Sequence, residues 1–208
     1  MNIIFDLDGT LWDSSKTIFI AWKKLFSKYN ISLELEEIQS LMGLTINDIK
    51  EYFIISKNIS EPMADKILKE SENFEMNEIN KNGGVLYNDV ENTLKELSKN
   101  NKLYIVSNCE SWYIESFLNY FDLSKYFKDT ECAGNTKKDK KYNIELLIKR
   151  NNLKNCIYVG DTIKDMEASF YNKIKFVYAS YGFGNVDEYT YKLNKFSDLI
   201  ELCKNISK

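Results

Sequence analysis

Two aspartates two residues apart, Asp6 and Asp8, end the first apolar run of the chain in Ile3-Ile4-Phe5-Asp6-Leu7-Asp8-Gly9-Thr10. On a glycine-containing turn, both carboxylates can address one small volume from different sides. Such a pair is costly unless a cation or a proton compensates it. A calcium loop also begins Asp-x-Asp, but it requires Gly at its sixth position and Glu at its twelfth. Here Gly9 stands fourth and Thr17 twelfth, so that reading fails. Asp161 and Asp165 follow another apolar run, Cys156-Ile157-Tyr158-Val159, in Gly160-Asp161-Thr162-Ile163-Lys164-Asp165. Ser107-Asn108 follows a third, Leu103-Tyr104-Ile105-Val106, and a lysine-rich stretch spans Lys137-Lys138-Asp139-Lys140-Lys141. Carboxylates suit a hard cation, while hydroxyls, amides and ammonium groups suit an anion. Ser and Asn are also favoured helix N-caps, and most of a lysine run is ordinarily solvated surface.

The elements that must position these groups follow from periodicity. Short β-branched runs at Ile3–Phe5, Leu103–Val106, Cys156–Val159 and 174–178 read as buried strands, with Thr130-Glu131-Cys132 a weaker one. Helical stripes lie between them: Val90, Leu94 and Leu97; Trp112, Phe117, Leu118 and Phe121; Ile144, Leu147 and Ile148; Leu199, Ile200 and Cys203. This alternation implies an α/β fold with a Rossmann-like parallel sheet covered on both faces, and ligands bind such sheets at the carboxyl ends of the strands. From about Ser14 to Gly84 there is no strand pattern. Instead Ile18, Ala21, Trp22, Leu25, Phe26 and Tyr29 recur at helical spacing, and further helices are predicted near 35–41, 46–54 and 63–74. The expected organisation is therefore a core of 1–13 and 85–208 with an all-helical cap of 14–84 inserted after the first strand.

Composition excludes several functions. The chain has 208 residues, 44% of them hydrophobic and 14% aromatic, which rules out disorder. The 28 basic and 31 acidic side chains give a net charge of −3, so no general attraction for nucleic acid or an anionic membrane is expected. No apolar run approaches a membrane span, and Asp6 comes too early for a signal peptide. The four cysteines, Cys109, Cys132, Cys156 and Cys203, form no Cys-x-x-Cys pair, which suggests reduced thiols and a cytoplasmic location. Histidine is absent, which excludes Ser-His and Cys-His nucleophiles. Arg150 is the sole arginine, so anion recognition must use lysine, hydroxyls and backbone N–H groups.

With its motifs in this order, the chain resembles the haloacid-dehalogenase-like superfamily, in particular its helical-capped phosphoglycolate phosphatase and β-phosphoglucomutase-like group. Asp6-Leu7-Asp8-Gly9-Thr10 matches the first family motif, Ser107-Asn108 the second, the lysine-bearing loop the third and Gly160-Asp161-Thr162-Ile163-Lys164-Asp165 the fourth. The resemblance implies that Asp6 is the nucleophile that becomes an aspartyl phosphate, and that Asp8 is the general acid and base. It implies Mg²⁺ held by Asp6, the backbone carbonyl of Asp8, and Asp161, with Asp165 holding a water at the metal or orienting the lysine. Ser107 and Asn108 would hold the phosphate. The usual Lys-Pro pair is missing; Lys140-Lys141-Tyr142-Asn143-Ile144 fits the spacing of a family subset, making Lys140 the first choice and Lys138 the next.

The expected activity is Mg²⁺-dependent hydrolysis of a small phosphorylated metabolite, 2-phosphoglycolate-like or a sugar phosphate, by a monomer or homodimer. A phosphosugar mutase is the first alternative, although Met42-Gly43-Leu44-Thr45-Ile46 lacks the arginine that those relatives carry there. A dehalogenase would not need Asp8, because a halide leaves without a proton. A non-catalytic phosphate-binding module is the remaining alternative. Trp12, Trp22 and Trp112 read as packing, Tyr181-Gly182-Phe183-Gly184 as a structural loop, and Tyr29 or Phe53 as interface residues if exposed.

Overall fold

The computed structural model describes residues 1–206. The chain opens with β1 (Asn2–Phe5) and the two-residue β2 (Trp12–Asp13). Four helices follow, α1 (Ser15–Phe26), α2 (Leu35–Leu41), α3 (Ile46–Ser56) and α4 (Glu61–Asn82). After β3 (Val85–Leu86) come α5 (Val90–Leu97), β4 (Lys102–Ser107), α6 (Tyr113–Tyr120), β5 (Phe127–Cys132), α7 (Ala133–Thr136) and α8 (Lys140–Arg150). The chain ends with β6 (Cys156–Gly160), α9 (Ile163–Tyr171), β7 (Lys175–Ala179), β8 (Tyr191–Leu193) and α10 (Asp198–Ile206).

Six strands form one parallel sheet in the order β5-β4-β1-β6-β7-β8. Alternate residues feed opposite cores, as the two-residue period of a strand requires. Ile3, Phe5, Leu103, Ile105, Ile157 and Val159 join a core shared with Leu94 of α5, Phe117 of α6 and Leu199 of α10. Ile4, Tyr104, Val106, Tyr158 and Phe176 face Ile144 and Leu147 of α8 and Ala168 of α9. Burial on both faces explains why the strands read as unbroken apolar runs. The chain builds outward from β1 in one direction through β4 and β5, then in the other through β6, β7 and β8. The ends of β1, β4 and β6 consequently meet at the reversal point, carrying Asp6, Ser107 and Asp161.

Helices α1 to α4 fill the interval between β2 and β3, which pair antiparallel through Trp12↔Leu86 and Asp13↔Val85. Chain exit and return therefore share one narrow neck. Trp12 is fully buried there, with the edges of Tyr113, Phe117 and Phe121 against it. Within the inserted helices, Trp22 stacks on Phe26, and Phe53 packs on both at 5.6 and 4.8 Å between ring centroids. Phe53 is 1% exposed, so it belongs to this core and is not available for an interface. Tyr29 is half-buried and donates to Glu70.

Several elements differ from the periodicity reading. Helix α4 continues past Phe74 to Asn82, because Ile79 stays fully buried although its neighbours are polar. Strands β2, β3 and β8 contain two or three residues each, too few for a period to show. Helix α6 begins at Tyr113, so Ser107-Asn108 leads into a loop rather than directly into a helix. None of the described helices is long and apolar enough to cross a membrane. Truncating Phe53 to Ala should lower the unfolding free energy by about 3–5 kcal/mol. Urea or guanidinium melts of the two proteins would measure this, and an unchanged midpoint would contradict the packing described.

Candidate active site

Asp6 is the first residue beyond β1, and its N–H donates to Val159 O at 2.8 Å, which fixes it to the end of β6. Lys140, the first residue of α8, reaches it with Nζ 2.9 Å from Oδ1. The same ammonium lies 2.5 Å from Oδ1 of Asp165. Lys140 is 3% exposed, while Lys137 and Lys138 are exposed and Lys141 is half-buried. Of the four candidate lysines, the structure brings Lys140 alone to Asp6. Helix α8 begins there because Asp139 caps it, accepting from the Tyr142 N–H.

Asp165 is held on every side. Its Oδ2 accepts from the N–H groups of Asp161 and Thr162 and from Thr162 Oγ1, at 2.7–3.1 Å, in the capping box that opens α9. With Oδ1 on Lys140, both oxygens are engaged, which suits a group that orients the lysine. Asp161 is anchored differently, its Oδ2 accepting from the N–H groups of Phe183 and Gly184 at 2.8 and 3.2 Å. The loop read from sequence as merely structural thus supplies two donors to the site. Sequence patterning carries no sign of this, since backbone N–H groups are contributed by any residue.

Asp6, Asp161 and Asp165 bring carboxylate oxygens within 4.8 Å of one another, and all three side chains are buried. Against three carboxylates stands one ammonium, a formal excess of two negative charges among buried side chains. Two buried oxygens have no hydrogen-bond partner among the described residues, Oδ2 of Asp6 and Oδ1 of Asp161. Such atoms are rarely left bare in a folded protein. Oxygen donors carrying a double negative excess fit a divalent hard cation such as Mg²⁺. The electrostatics agree. Burial, then the Asp165 charge, pushes the Asp6 carboxyl up to about 7 despite Lys140. Burial and both neighbouring carboxylates raise Asp161 well above the usual range. Lys140 is pulled down by its burial, but Asp165 and Asp6 outweigh this and hold it firmly protonated. Gly9 completes the enclosure at φ +77°, where any Cβ would overlap the Asp161 carboxylate.

Asp8 occupies a separate polar niche. Its Oδ1 accepts from Ser14 Oγ at 2.6 Å, and the single proton of Tyr113 OH is shared between Asp8 Oδ1 at 3.0 Å and Ser14 Oγ at 2.7 Å. Burial raises the Asp8 carboxyl to about 6 against these bonds. Neither Ser14 nor Tyr113 was singled out by the sequence, because they lie 6 and 105 residues from Asp8. Asp8, Ser107 and Asn108 form the floor of a cavity of about 390 Å³ between the sheet and the inserted helices. The inserted helices are tied to this floor by Asn108 Nδ2 donating to Gly43 O at 3.0 Å and by an ion pair between Lys164 and Asp48.

Among the titratable groups that line the cavity is Glu75 of α4. Its Oε1 accepts from Trp22 Nε1 at 2.5 Å and from Ser71 Oγ at 3.0 Å. Desolvation there pushes the carboxyl from the ordinary 4.5 up to about 7, with Glu110 and Glu72 adding to the rise. The folded protein therefore holds a proton that the unfolded chain releases at lower pH. That contribution is fully present below pH 4.5 and is lost as pH rises through 7. Replacing Glu75 by Gln should flatten this fall in stability, which thermal melts of both proteins across that range would reveal. A fall of the same size in both would contradict it.

Comparison with known proteins accords with this arrangement. The family profile described as haloacid dehalogenase-like hydrolase matches residues 3–179. A phosphoglycolate phosphatase from Aquifex aeolicus is 29% identical over 219 residues, covering 98% of this chain and 96% of that protein. The pyrophosphatase PpaX of Oceanobacillus iheyensis is 30% identical over 127 residues, 61% of this chain and 56% of the relative. Among solved structures, a haloacid dehalogenase-like hydrolase from Streptococcus pneumoniae superposes with a TM-score of 0.87 at 21% identity, covering 97% of each chain. A β-phosphoglucomutase from Clostridium difficile superposes with a TM-score of 0.80 at 22% identity, covering 98% of this chain and 95% of its own. The chain belongs to the haloacid dehalogenase-like hydrolases, and it is an enzyme of the phosphatase kind.

Proposed function

We propose that this hydrolase is a Mg²⁺-dependent phosphomonoesterase that works through an aspartyl phosphate on Asp6 and acts on a small phosphorylated metabolite. The observation that carries this reading is the pair of unpartnered buried oxygens on Asp6 and Asp161 beside a single lysine. Asp6, Asp161 and the backbone carbonyl of Asp8 would hold the cation. When bound, Mg²⁺ supplies screening that lets an anionic nucleophile and an anionic phosphate approach.

The chain's own residues account for the rest. Lys140 holds Asp6 in place and adds positive charge beside the transferring phosphoryl group, and Asp165 fixes Lys140. Ser107 and the Asn108 N–H stand beside Asp8 on the cavity floor, where they would hold phosphate oxygens. The Asp6 carboxylate attacks phosphorus, the P–O ester bond breaks, and Asp8 gives its proton to the departing oxygen. Asp8 then takes a proton from water, the hydroxide attacks phosphorus, and the P–O bond to Asp6 breaks to release phosphate. Ser14 and Tyr113 keep one Asp8 oxygen engaged and leave the other to the cavity. Residues 14–84 act as a cap domain over a core of 1–13 and 85–208, excluding water and restricting substrates to those the cavity can hold. The small-metabolite class is supported by this cavity and by the Aquifex relative's name.

A mutase finds less support. The stretch 42–46 lies on the cavity without an arginine, and likeness to the phosphoglucomutase structure at 22% identity extends to the fold alone. Asp6→Asn should abolish Mg²⁺-dependent release from p-nitrophenyl phosphate. Asp8→Asn should lower kcat by about 10²–10⁴-fold, the usual contribution of a general acid and base. Steady-state assays of the three proteins test this. Undiminished turnover by Asp6→Asn would remove the nucleophile assignment, and an inert wild type would favour a non-catalytic module.

A further inference from the structure

The cavity lining has a chemistry that phosphoryl transfer does not require. Much of it is apolar, with Ile38, Leu41, Met42 and Leu68, and two indoles, Trp22 and Trp112, flank it. Glu75 is set into this wall. Trp22 and Ser71 fix one of its oxygens, while Oε2 accepts no hydrogen bond and no cation pairs with it among the described residues. Glu72 and Glu110 line the same cavity. The lysines of the wall are committed or solvated: Lys50 pairs with Glu61 and Asp65 at 3.1 and 3.2 Å, Lys137 with Glu110 at 3.6 Å, and Lys69 is exposed.

Asn108 and Trp112, also on the cavity, each carry a polar atom with no partner among the described residues. Asn108, 8% exposed, has a bare acceptor in Oδ1, and Trp112 has a bare donor in Nε1. A ligand that offers N–H donors would satisfy Glu75 and Asn108, and an ester or phosphate oxygen would satisfy Trp112. A leaving group bearing a carboxylate would instead meet Glu75, with the neighbouring lysines of the lining exposed or already paired.

Resting on the phosphatase reading above, we propose that Glu75 is a specificity-determining residue and that the substrate is the phosphate monoester of a small amino alcohol, its ammonium held by Glu75 beside the indoles. A charge-assisted bond to a carboxylate in a partly desolvated wall, with indoles nearby, gives such a cation its selectivity. A second anionic group, such as the carboxylate of phosphoglycolate, would find no such partner in Glu75.

The test compares ethanolamine phosphate, glycerol phosphate and phosphoglycolate with p-nitrophenyl phosphate, using wild type and Glu75→Gln. In the wild type, kcat/KM for ethanolamine phosphate should exceed that for phosphoglycolate by about tenfold or more, as one charged hydrogen bond allows. Glu75→Gln should reduce the ratio of kcat/KM for ethanolamine phosphate over p-nitrophenyl phosphate by about tenfold. The loss should lie in KM, as expected for a group that binds the leaving part equally before and during reaction. Preference for phosphoglycolate by the wild type would overturn the proposal whatever the variant does, and so would an unchanged ratio in a folded Glu75→Gln. Failure of every ester, including p-nitrophenyl phosphate, would instead overturn the phosphatase reading on which the proposal rests.

Discussion

Lys140 is one positive charge set among buried carboxylates, and much of the arrangement around it follows from that imbalance. Its ammonium reaches Asp6 and Asp165 but cannot neutralise both together with Asp161. A buried charge that loses its only partner costs several kcal/mol, so the network tolerates little displacement. The neighbouring structure meets that demand. A capping box on α9 fixes Asp165, two loop N–H groups fix Asp161, and a strand-to-strand bond fixes Asp6. What remains uncompensated is confined to two carboxylate oxygens, placed where a divalent cation can satisfy both.

The sheet turns this local requirement into a site. Because the strand order reverses beside β1, the ends of three strands converge, and residues about 100 and 150 positions from Asp6 become its neighbours. The inserted helices contribute a different property. They close a cavity over Asp8 whose lining includes Glu75 and Trp22 from the inserted helices. On the proposed reading, reaction chemistry belongs to the strand ends and substrate selection to the inserted helices.

Much of this was legible in the sequence. Apolar runs ending in Asp6, Ser107 and Asp161 mark strands buried on both faces, and helical stripes mark the inserted segment. The resemblance to a family subset pointed to Lys140 first and Lys138 next, and of the four lysines Lys140 is the buried one, two being exposed and one half-buried. The residues that escaped notice share a physical reason. Tyr113 reaches Asp8 from 105 residues away, Ser14 reaches it across a turn of no fixed period, and Phe183 and Gly184 act through backbone N–H groups that no side-chain pattern records. Glu75 sits in the polar second half of α4, where an acidic residue looks like solvent-facing surface until the opposite wall is known. The loop after Ser107 delays α6 by five residues, because turn geometry depends on contacts that periodicity does not carry.

The charge imbalance is tested most directly by calorimetric titration of Mg²⁺ into chelator-stripped protein, with Asp161→Asn alongside. One ion should bind per chain, and the substitution should weaken binding by about 10-fold or more, since it removes one of two uncompensated anionic ligands. Absence of Mg²⁺ binding, or equal affinity in the variant, would contradict the assignment of these oxygens to a cation.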